Sequence, residues 1–131
     1  MGCKKEINKK KDEQFEIQFF EGVLKGSPNF VEALIALGDL YTKHGFFEKG
    51  LHVDQKLVQL KPDDPIVLYN LACSYSLLGN LEKAFCVIQI AVARGYDEFD
   101  FMQKDRDLEK LREYLPFKDF LDQLKNVKAK A

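Results

Sequence analysis

Two histidines are the residues of this 131-residue chain best suited to bind a metal ion. His44 and His52 flank a predicted turn at Gly45 and lie eight positions apart. Histidines that share a metal on one helix are usually four positions apart, and no third ligand follows either of them closely. We therefore interpret both as surface residues and expect no metal site.

Three cysteines offer a second kind of chemistry, because a thiolate is a nucleophile. Cys3, Cys73 and Cys86 form an odd set without the Cys-x-x-Cys spacing, which favours reduced thiols over a disulfide framework. A cysteine nucleophile also needs a base within hydrogen-bond reach, and neither histidine has a suitable place. We interpret Cys73 and Cys86 as small, partly buried residues.

A third candidate is the acidic cluster in "KDRDLEK", which contains Asp105, Asp107 and Glu109. A calcium loop would need a glycine hinge and a closing glutamate at fixed spacing, and both are absent. Helix capping is the better interpretation, with Asp107 as the cap before "LEKLR". The sequence has no phosphate-binding glycine loop or nucleophile elbow, so it predicts a protein without catalytic activity or a cofactor.

The composition is that of a helical globular protein, with 46% apolar and 31% charged residues. The net charge of −1 divides into +3 over residues 1–12, +2 over residues 118–131 and −6 between them. An acidic body argues against nucleic-acid binding. No apolar run reaches the length of a membrane span, and together with the cysteine pattern this predicts a cytoplasmic protein.

The two ends of the chain are rich in lysine. We interpret residues 1–12 as a flexible basic leader and residues 126–131 as a basic tail. The start "MGCKKE" raises an alternative, lipid anchoring at Gly2 or Cys3. However, Glu6 stands where the myristoylation motif requires serine or threonine.

The elements that would position any site follow from an internal repeat. When the chain is shifted by 34 residues, ten of the 34 paired positions are identical, whereas chance would give about two or three. The identical pairs are Pro28/Pro62, Leu34/Leu68, Leu37/Leu71, Tyr41/Tyr75, Gly45/Gly79, Glu48/Glu82, Lys49/Lys83, Val53/Val87, Gln55/Gln89 and Val58/Val92. Each unit therefore has the same internal structure.

Each repeat unit reads as two helices joined by a tight turn. Asn29 is the predicted cap of the first helix, and Asp64 followed by Pro65 opens the corresponding helix of the second unit. Glycine at 45 and 79 ends these helices. Small residues recur where the paired helices must approach closely, namely Gly38, Gly50, Ala72 and Ala84.

These residues resemble the tetratricopeptide repeat family, whose 34-residue signature is a helix pair. The resemblance implies an all-α fold, a right-handed superhelical array of antiparallel helix hairpins with six or seven helices in one domain, 13–125. The expected parts are a lone helix over 13–26, repeats over 28–61 and 62–95, and a cap over 96–125. Asp54 departs from the signature, which prefers a large apolar residue there.

The C-terminal stretch "GYDEFDFMQKDRDLEKLREYLPFKDFL" resembles the segment that closes many arrays of this family. Such a cap covers the apolar edge of the last repeat. We expect its apolar residues to be buried there, namely Phe99, Phe101, Leu108, Leu111, Phe117, Phe120, Leu121 and Leu124.

In this family the first helix of each pair lines the concave face, which binds peptides or proteins. The expected binding residues are Glu32, Ile35, Asp39, Lys43, Ile66, Tyr69, Asn70, Cys73 and Leu77, with Tyr69 as an aromatic anchor and Asn70 as a hydrogen-bonding group. A clamp for a peptide carboxylate is poorly supported, because Lys43 is its only cation. The resemblance thus implies a protein-binding scaffold of unknown partner. The alternative is a structural unit that forms homo-oligomers through its exposed N-terminal helix.

Overall fold

The computed structural model describes the backbone of residues 2–130 and the side chains of residues 11–127. This part of the chain contains eight α-helices, one 3-10 turn and no strand, which confirms the all-α fold of helix pairs. The elements are α1 (Gly2–Gly26), α2 (Val31–Lys43), α3 (Phe47–Leu60), α4 (Pro65–Leu77), α5 (Leu81–Ala93), α6 (Phe99–Met102), the 3-10 turn (Arg106–Leu108), α7 (Glu109–Arg112) and α8 (Leu115–Lys130).

The chain divides into two compact units, Met1–Leu60 and Lys61–Ala131. The lone helix predicted over 13–26 is longer in the structure, because α1 begins at Gly2. Within the predicted basic leader only the side chains of Lys11 and Asp12 are described, so the lipid-anchor prediction at Gly2 and Cys3 lies outside the described side chains, as does most of the predicted tail. The domain boundaries drawn from the sequence stay predictions. None of the described helices is long and apolar enough to cross a bilayer.

In the first unit, α2 packs against α3 through two glycines. A Cβ atom on Gly38 would lie 3.3 Å from Cγ1 of Val53, and one on Gly50 would lie 3.1 Å from Oγ1 of Thr42. Both distances are tighter than an ordinary van der Waals contact. The predicted role of small residues at the helix contact is therefore confirmed.

Gly38 also makes room for a buried acid. The Asp54 side chain is buried, and its Oδ1 would lie only 3.4 Å from a Cβ at position 38. The second repeat has alanine at 72 and isoleucine at 88 in the corresponding places, both fully buried. In the first repeat, therefore, Asp54 replaces the large apolar residue of the family signature, and the facing position 38 holds glycine where the second repeat has alanine.

The helix pairs turn at glycines with positive φ. Gly45 and Gly79 both have a φ of +80°, a region that glycine enters without a steric penalty. The next amide reaches back to the helix, from Phe46 to the carbonyl of Tyr41 at 2.8 Å and from Asn80 to that of Tyr75 at 2.9 Å. This is the hydrogen-bond pattern of a Schellman end, and it confirms the predicted turns.

The helix starts follow the sequence in one repeat and depart from it in the other. Asp64 caps α4, since Oδ1 accepts from the amides of Ile66 at 2.9 Å and Val67 at 3.3 Å, with Pro65 at the first helical position. The prediction of Asn29 as cap of α2 is wrong. Phe30 occupies that position and forms no side-chain cap.

In the second unit, α4 and α5 meet at the fully buried Ala72 and Ala84. The closing segment packs on this pair and breaks into four pieces, three of them short, which is why the described chain has more helices than the six or seven expected. Its fully buried side chains are Met102, Leu108, Leu111 and Phe117. Leu121 is also buried, whereas Phe99, Phe120 and Leu124 are half-buried.

Hydrogen bonds hold the turns of the closing segment. Asp105 caps the 3-10 turn, because its Oδ1 accepts from the amide of Asp107 at 3.0 Å. The prediction of Asp107 as the cap before "LEKLR" is wrong, because Asp107 lies within the 3-10 turn and Leu108 occupies the cap position of α7 without a side-chain cap. Arg112 donates to the backbone carbonyls of Asp105 at 2.6 Å and Met102 at 3.2 Å.

Candidate functional site

The first unit places its expected binding residues along one side of α2. Glu32, Ile35, Asp39 and Lys43 are all exposed. Partial burial raises the pKa of the Asp39 carboxyl above its ordinary value. This row offers a partner charged groups of both signs and a single apolar side chain.

The second unit places its expected residues at very different depths. Ile66 is 63% exposed, Asn70 and Leu77 are half-buried, and Tyr69 and Cys73 are buried. Tyr69 is only 4% exposed, so its ring does not project freely into solvent as an anchor would.

Tyr69 is held by residues from the closing segment. Its hydroxyl donates to Oδ2 of Asp105 at 2.6 Å, and the thiol of Cys73 lies 3.8 Å from the same oxygen. Its ring stacks on Tyr96 with centroids 4.1 Å apart and planes 3° apart. Burial, followed by the nearby Cys73 and the bond to Asp105, raises the pKa of Tyr69 well above its ordinary value.

A pocket of about 380 Å³ opens beside these stacked rings. Its lining residues are Pro65, Ile66, Tyr69, Asn70, Gly95, Tyr96, Asp97, Glu98 and Phe101. Phe101 is 51% exposed and its ring centroid lies 6.4 Å from that of Tyr69. The prediction that Phe101 is buried is therefore wrong. The pocket combines the first two turns of α4 with the start of the closing segment.

The sequence pointed to the α4 wall of this pocket, which supplies three of its nine lining residues from the expected set. Ile66, Tyr69 and Asn70 belong to the expected binding residues, whereas the sequence pattern places Tyr96 and Phe101 only in the segment that closes the array. The available signal was the glycine-aromatic-aspartate turn, which places an aromatic ring next to α4.

A second pocket, of about 430 Å³, lies within the first unit. Its polar groups join α1 to the end of α2. Tyr41 donates to the Glu21 carboxylate at 2.7 Å, and Nε2 of His44 lies 2.8 Å from that of Glu13. His52 is exposed as expected, but His44 is half-buried, and the prediction of a surface histidine is wrong for it. We assign these contacts a structural role.

Three candidate metal ligands also come together in the second unit. Sγ of Cys73 and carboxylate oxygens of Asp105 and Asp107 lie within 4.8 Å of one another. Both oxygens of Asp105 already accept hydrogen bonds, from Tyr69 and from the amide of Asp107. This geometry supports the packing of the closing segment on α4, and we assign it no chemistry.

No model of a known protein family matches the chain. Among curated proteins, it is 30% identical over 86 residues to a chloroplastic protein of Arabidopsis thaliana, an alignment that covers 63% of this chain and 26% of that protein. It is 28% identical over 92 residues to Superkiller protein 3 of Saccharomyces cerevisiae, covering 70% of this chain and 6% of that one. The chain therefore spans about a quarter or less of these relatives.

Solved structures share the fold over nearly the whole chain. MamA (41 to the end) from Desulfovibrio magneticus RS-1 superposes with a TM-score of 0.66 and 22% identity, covering 92% of this chain and 71% of that one. A MamA RS-1 double mutant superposes with a TM-score of 0.65 and 23% identity, covering 92% and 70% of the two chains. Together with the 34-residue repeat, these likenesses show a fold of repeated helix pairs, which is the fold that the resemblance to the tetratricopeptide repeat family implies.

Proposed function

We propose that this chain is a non-catalytic scaffold that binds a segment of a partner protein, and that the segment enters the pocket between α4 and the closing segment. One observation carries the proposal. Ile66 and Phe101, both more than half exposed, line the same pocket over a floor of stacked tyrosine rings.

The chemistry of the pocket suits a peptide. Aromatic and aliphatic walls supply contact area, and pockets of this kind contribute most of the binding energy in protein interfaces. The half-buried amide of Asn70 can both donate to and accept from a peptide backbone. The exposed row on α2, with Glu32, Asp39 and Lys43, is a separate polar surface for other contacts.

The absence of catalysis is part of the proposal. The candidate nucleophile Cys73 is buried next to the Asp105 carboxylate. Reactive cysteines are usually partly exposed and lie beside cationic groups, whereas buried cysteines are usually inert. The half-buried His44 lies in the first unit, where it contacts Glu13. These placements support binding over chemistry.

A selection experiment tests this function. A phage-displayed library of random decapeptides would be selected on the full chain, and the recovered peptides would be measured against the Ile66→Ser variant. Ile90→Ser, on α5, is the matched control because Ile90 is also exposed and does not line the pocket. We expect about tenfold or greater weakening for Ile66→Ser only. Equal loss in both variants, or in neither, would overturn the proposed site.

A second function rests on a different surface. Phe15 and Phe19 on α1 are 69% and 56% exposed, and because one helical turn separates them they form an apolar face. A second copy of the chain could cover this face, which would make the chain the self-associating structural unit given above as the alternative function. Light scattering over a range of concentrations would detect it, and Phe15→Ser with Phe19→Ser should then reduce the mass to that of a monomer.

A further inference from the structure

We propose that the segment bound in the pocket is basic, with a lysine or arginine next to the apolar side chain that enters between Ile66 and Phe101. This inference rests on the proposed function and names the chemical class of the partner. It is carried by the distribution of charge around the pocket.

The rim of the pocket is acidic. Asp97 and Glu98 line it and both are exposed. Glu98 occupies the cap position of α6, but its side chain makes no capping hydrogen bond, so the carboxylate is not used to hold that helix. Two accessible carboxylates beside an apolar pocket favour a ligand that carries a cation near an apolar group.

No cation is built into the pocket to oppose this field. None of its lining residues, all within the described part of the chain, is a lysine or an arginine. Arg94, which immediately precedes Gly95, is engaged elsewhere, because its Nε lies 3.1 Å from Oδ1 of Asp63. A lysine or arginine of the bound segment would therefore provide the positive charge that the lining residues do not supply to Asp97 and Glu98.

The helix end at the pocket gives no help to an anion. The N-terminus of a helix usually attracts negative charge through its free amides. At α4, Pro65 has no amide hydrogen, and the amides of Ile66 and Val67 already donate to the Asp64 carboxylate. The capping carboxylate also adds a third negative charge at this end of the helix. An acidic peptide or a C-terminal carboxylate would thus meet repulsion.

The selected decapeptides provide the test. Peptides whose binding is weakened by Ile66→Ser should be enriched in lysine and arginine. Their affinity should fall as the salt concentration rises from about 50 to 500 mM, because salt screens exposed charges. In a second selection, on the Asp97→Lys/Glu98→Lys variant, the enrichment should change to aspartate and glutamate. Asp119→Lys/Asp122→Lys, on exposed positions of α8, is the matched control and should keep the basic preference.

For one lysine-rich peptide, we expect reversal of both rim charges to weaken binding about tenfold at low salt. Peptides that need Ile66 but are neutral or acidic would overturn the inference and leave the proposed function standing. If the peptides selected on the Asp97→Lys/Glu98→Lys variant are still rich in lysine and arginine, the inference is also overturned and the proposed function stands. If no selected peptide depends on Ile66, the proposed function fails and this inference fails with it.

Discussion

The phenol of Tyr69 donates a hydrogen bond of 2.6 Å to the carboxylate of Asp105, 36 positions later in the chain. This bond joins the first helix of the second repeat to the closing segment. The same pair of elements forms the two walls of the pocket. This one contact therefore contributes both to the packing of the cap and to the shape of the candidate site.

Removal of the Tyr69 hydroxyl should destabilise the fold. A hydrogen bond to a charged group contributes about 1.5–3 kcal/mol, and Tyr69→Phe leaves the buried carboxylate with one partner fewer. Urea unfolding of Tyr69→Phe, Asp105→Ala and the double variant would measure the coupling. We expect the loss in the double variant to be smaller than the sum of the two single losses by about 1 kcal/mol or more. Strict additivity would show that the bond contributes nothing.

Alkaline pH should weaken the second unit. Burial raises the pKa of Tyr96 to about 12, although the Tyr69 hydroxyl opposes the shift, and the pKa of Tyr69 is also raised. An unfolded tyrosine ionises near pH 10. The stabilisation from the raised pKa is thus complete below about pH 10 and is lost as the pH rises toward 12.

Urea unfolding at a series of pH values measures this effect. The free energy of unfolding should fall between pH 10 and 12 in the native chain, and it should fall less in Tyr96→Phe. Part of the slope should persist in the variant, since Tyr69 keeps its hydroxyl. The same slope in both proteins would contradict the buried position of Tyr96.

Glycines in the first unit should respond differently to alanine. A Cβ at Gly22, in α1, would meet nothing within 4 Å, so Gly22→Ala should stabilise the chain by about 0.5–1 kcal/mol through helix propensity alone. At Gly50 the new Cβ would lie 3.1 Å from Oγ1 of Thr42. Gly50→Ala should therefore lack this gain or lower the stability. Thermal melts that rank the two variants in the opposite order would contradict the α2–α3 packing.

Ala72→Leu tests the matching contact in the second repeat. Ala72 is fully buried between α4 and α5, so the larger side chain should cost roughly 1–3 kcal/mol. Ala93→Leu, at an exposed position of α5, is the control and should have little effect. A melt of Ala72→Leu that coincides with that of the native chain would show that the helices are paired differently.

Removal of residues 97–131 should leave the chain aggregated or unfolded. The segment contributes Met102, Leu108, Leu111 and Phe117, all fully buried, to the second unit. Burial of one such side chain is worth about 1.5–3 kcal/mol, while a domain is stable by only about 5–15 kcal/mol. Size-exclusion chromatography and circular dichroism of residues 1–96 check this. A cooperatively melting monomer would show the segment to be dispensable.

The helix pairs could be predicted from the sequence because they depend on local patterns. The 34-residue period relates the two hairpins, and within each hairpin the pattern consists of a turn glycine and two small residues, at 38 and 50 or at 72 and 84. The structure confirms these features. Asn29 failed as a cap because α2 begins one position later than its sequence pattern indicates, so that Phe30 takes the cap position.

The candidate site was only partly predictable because it depends on distant contacts. Tyr69 belongs to the expected surface by its repeat position, yet Asp105 and Tyr96 enclose it. Phe101 fits an apolar cap pattern but lies at the mouth of a pocket. His44 is half-buried because Glu13, 31 positions earlier, contacts it. No pattern within one helix contains that information.

A nuclear magnetic resonance titration of the isotope-labelled chain with the tightest selected peptide would locate the binding surface residue by residue. We expect the largest amide shift changes at residues 66–70 and 95–101, on the two walls of the pocket. Changes confined to the α1 face of Phe15 and Phe19, with none at Ile66, Asn70 or Phe101, would contradict the proposed site.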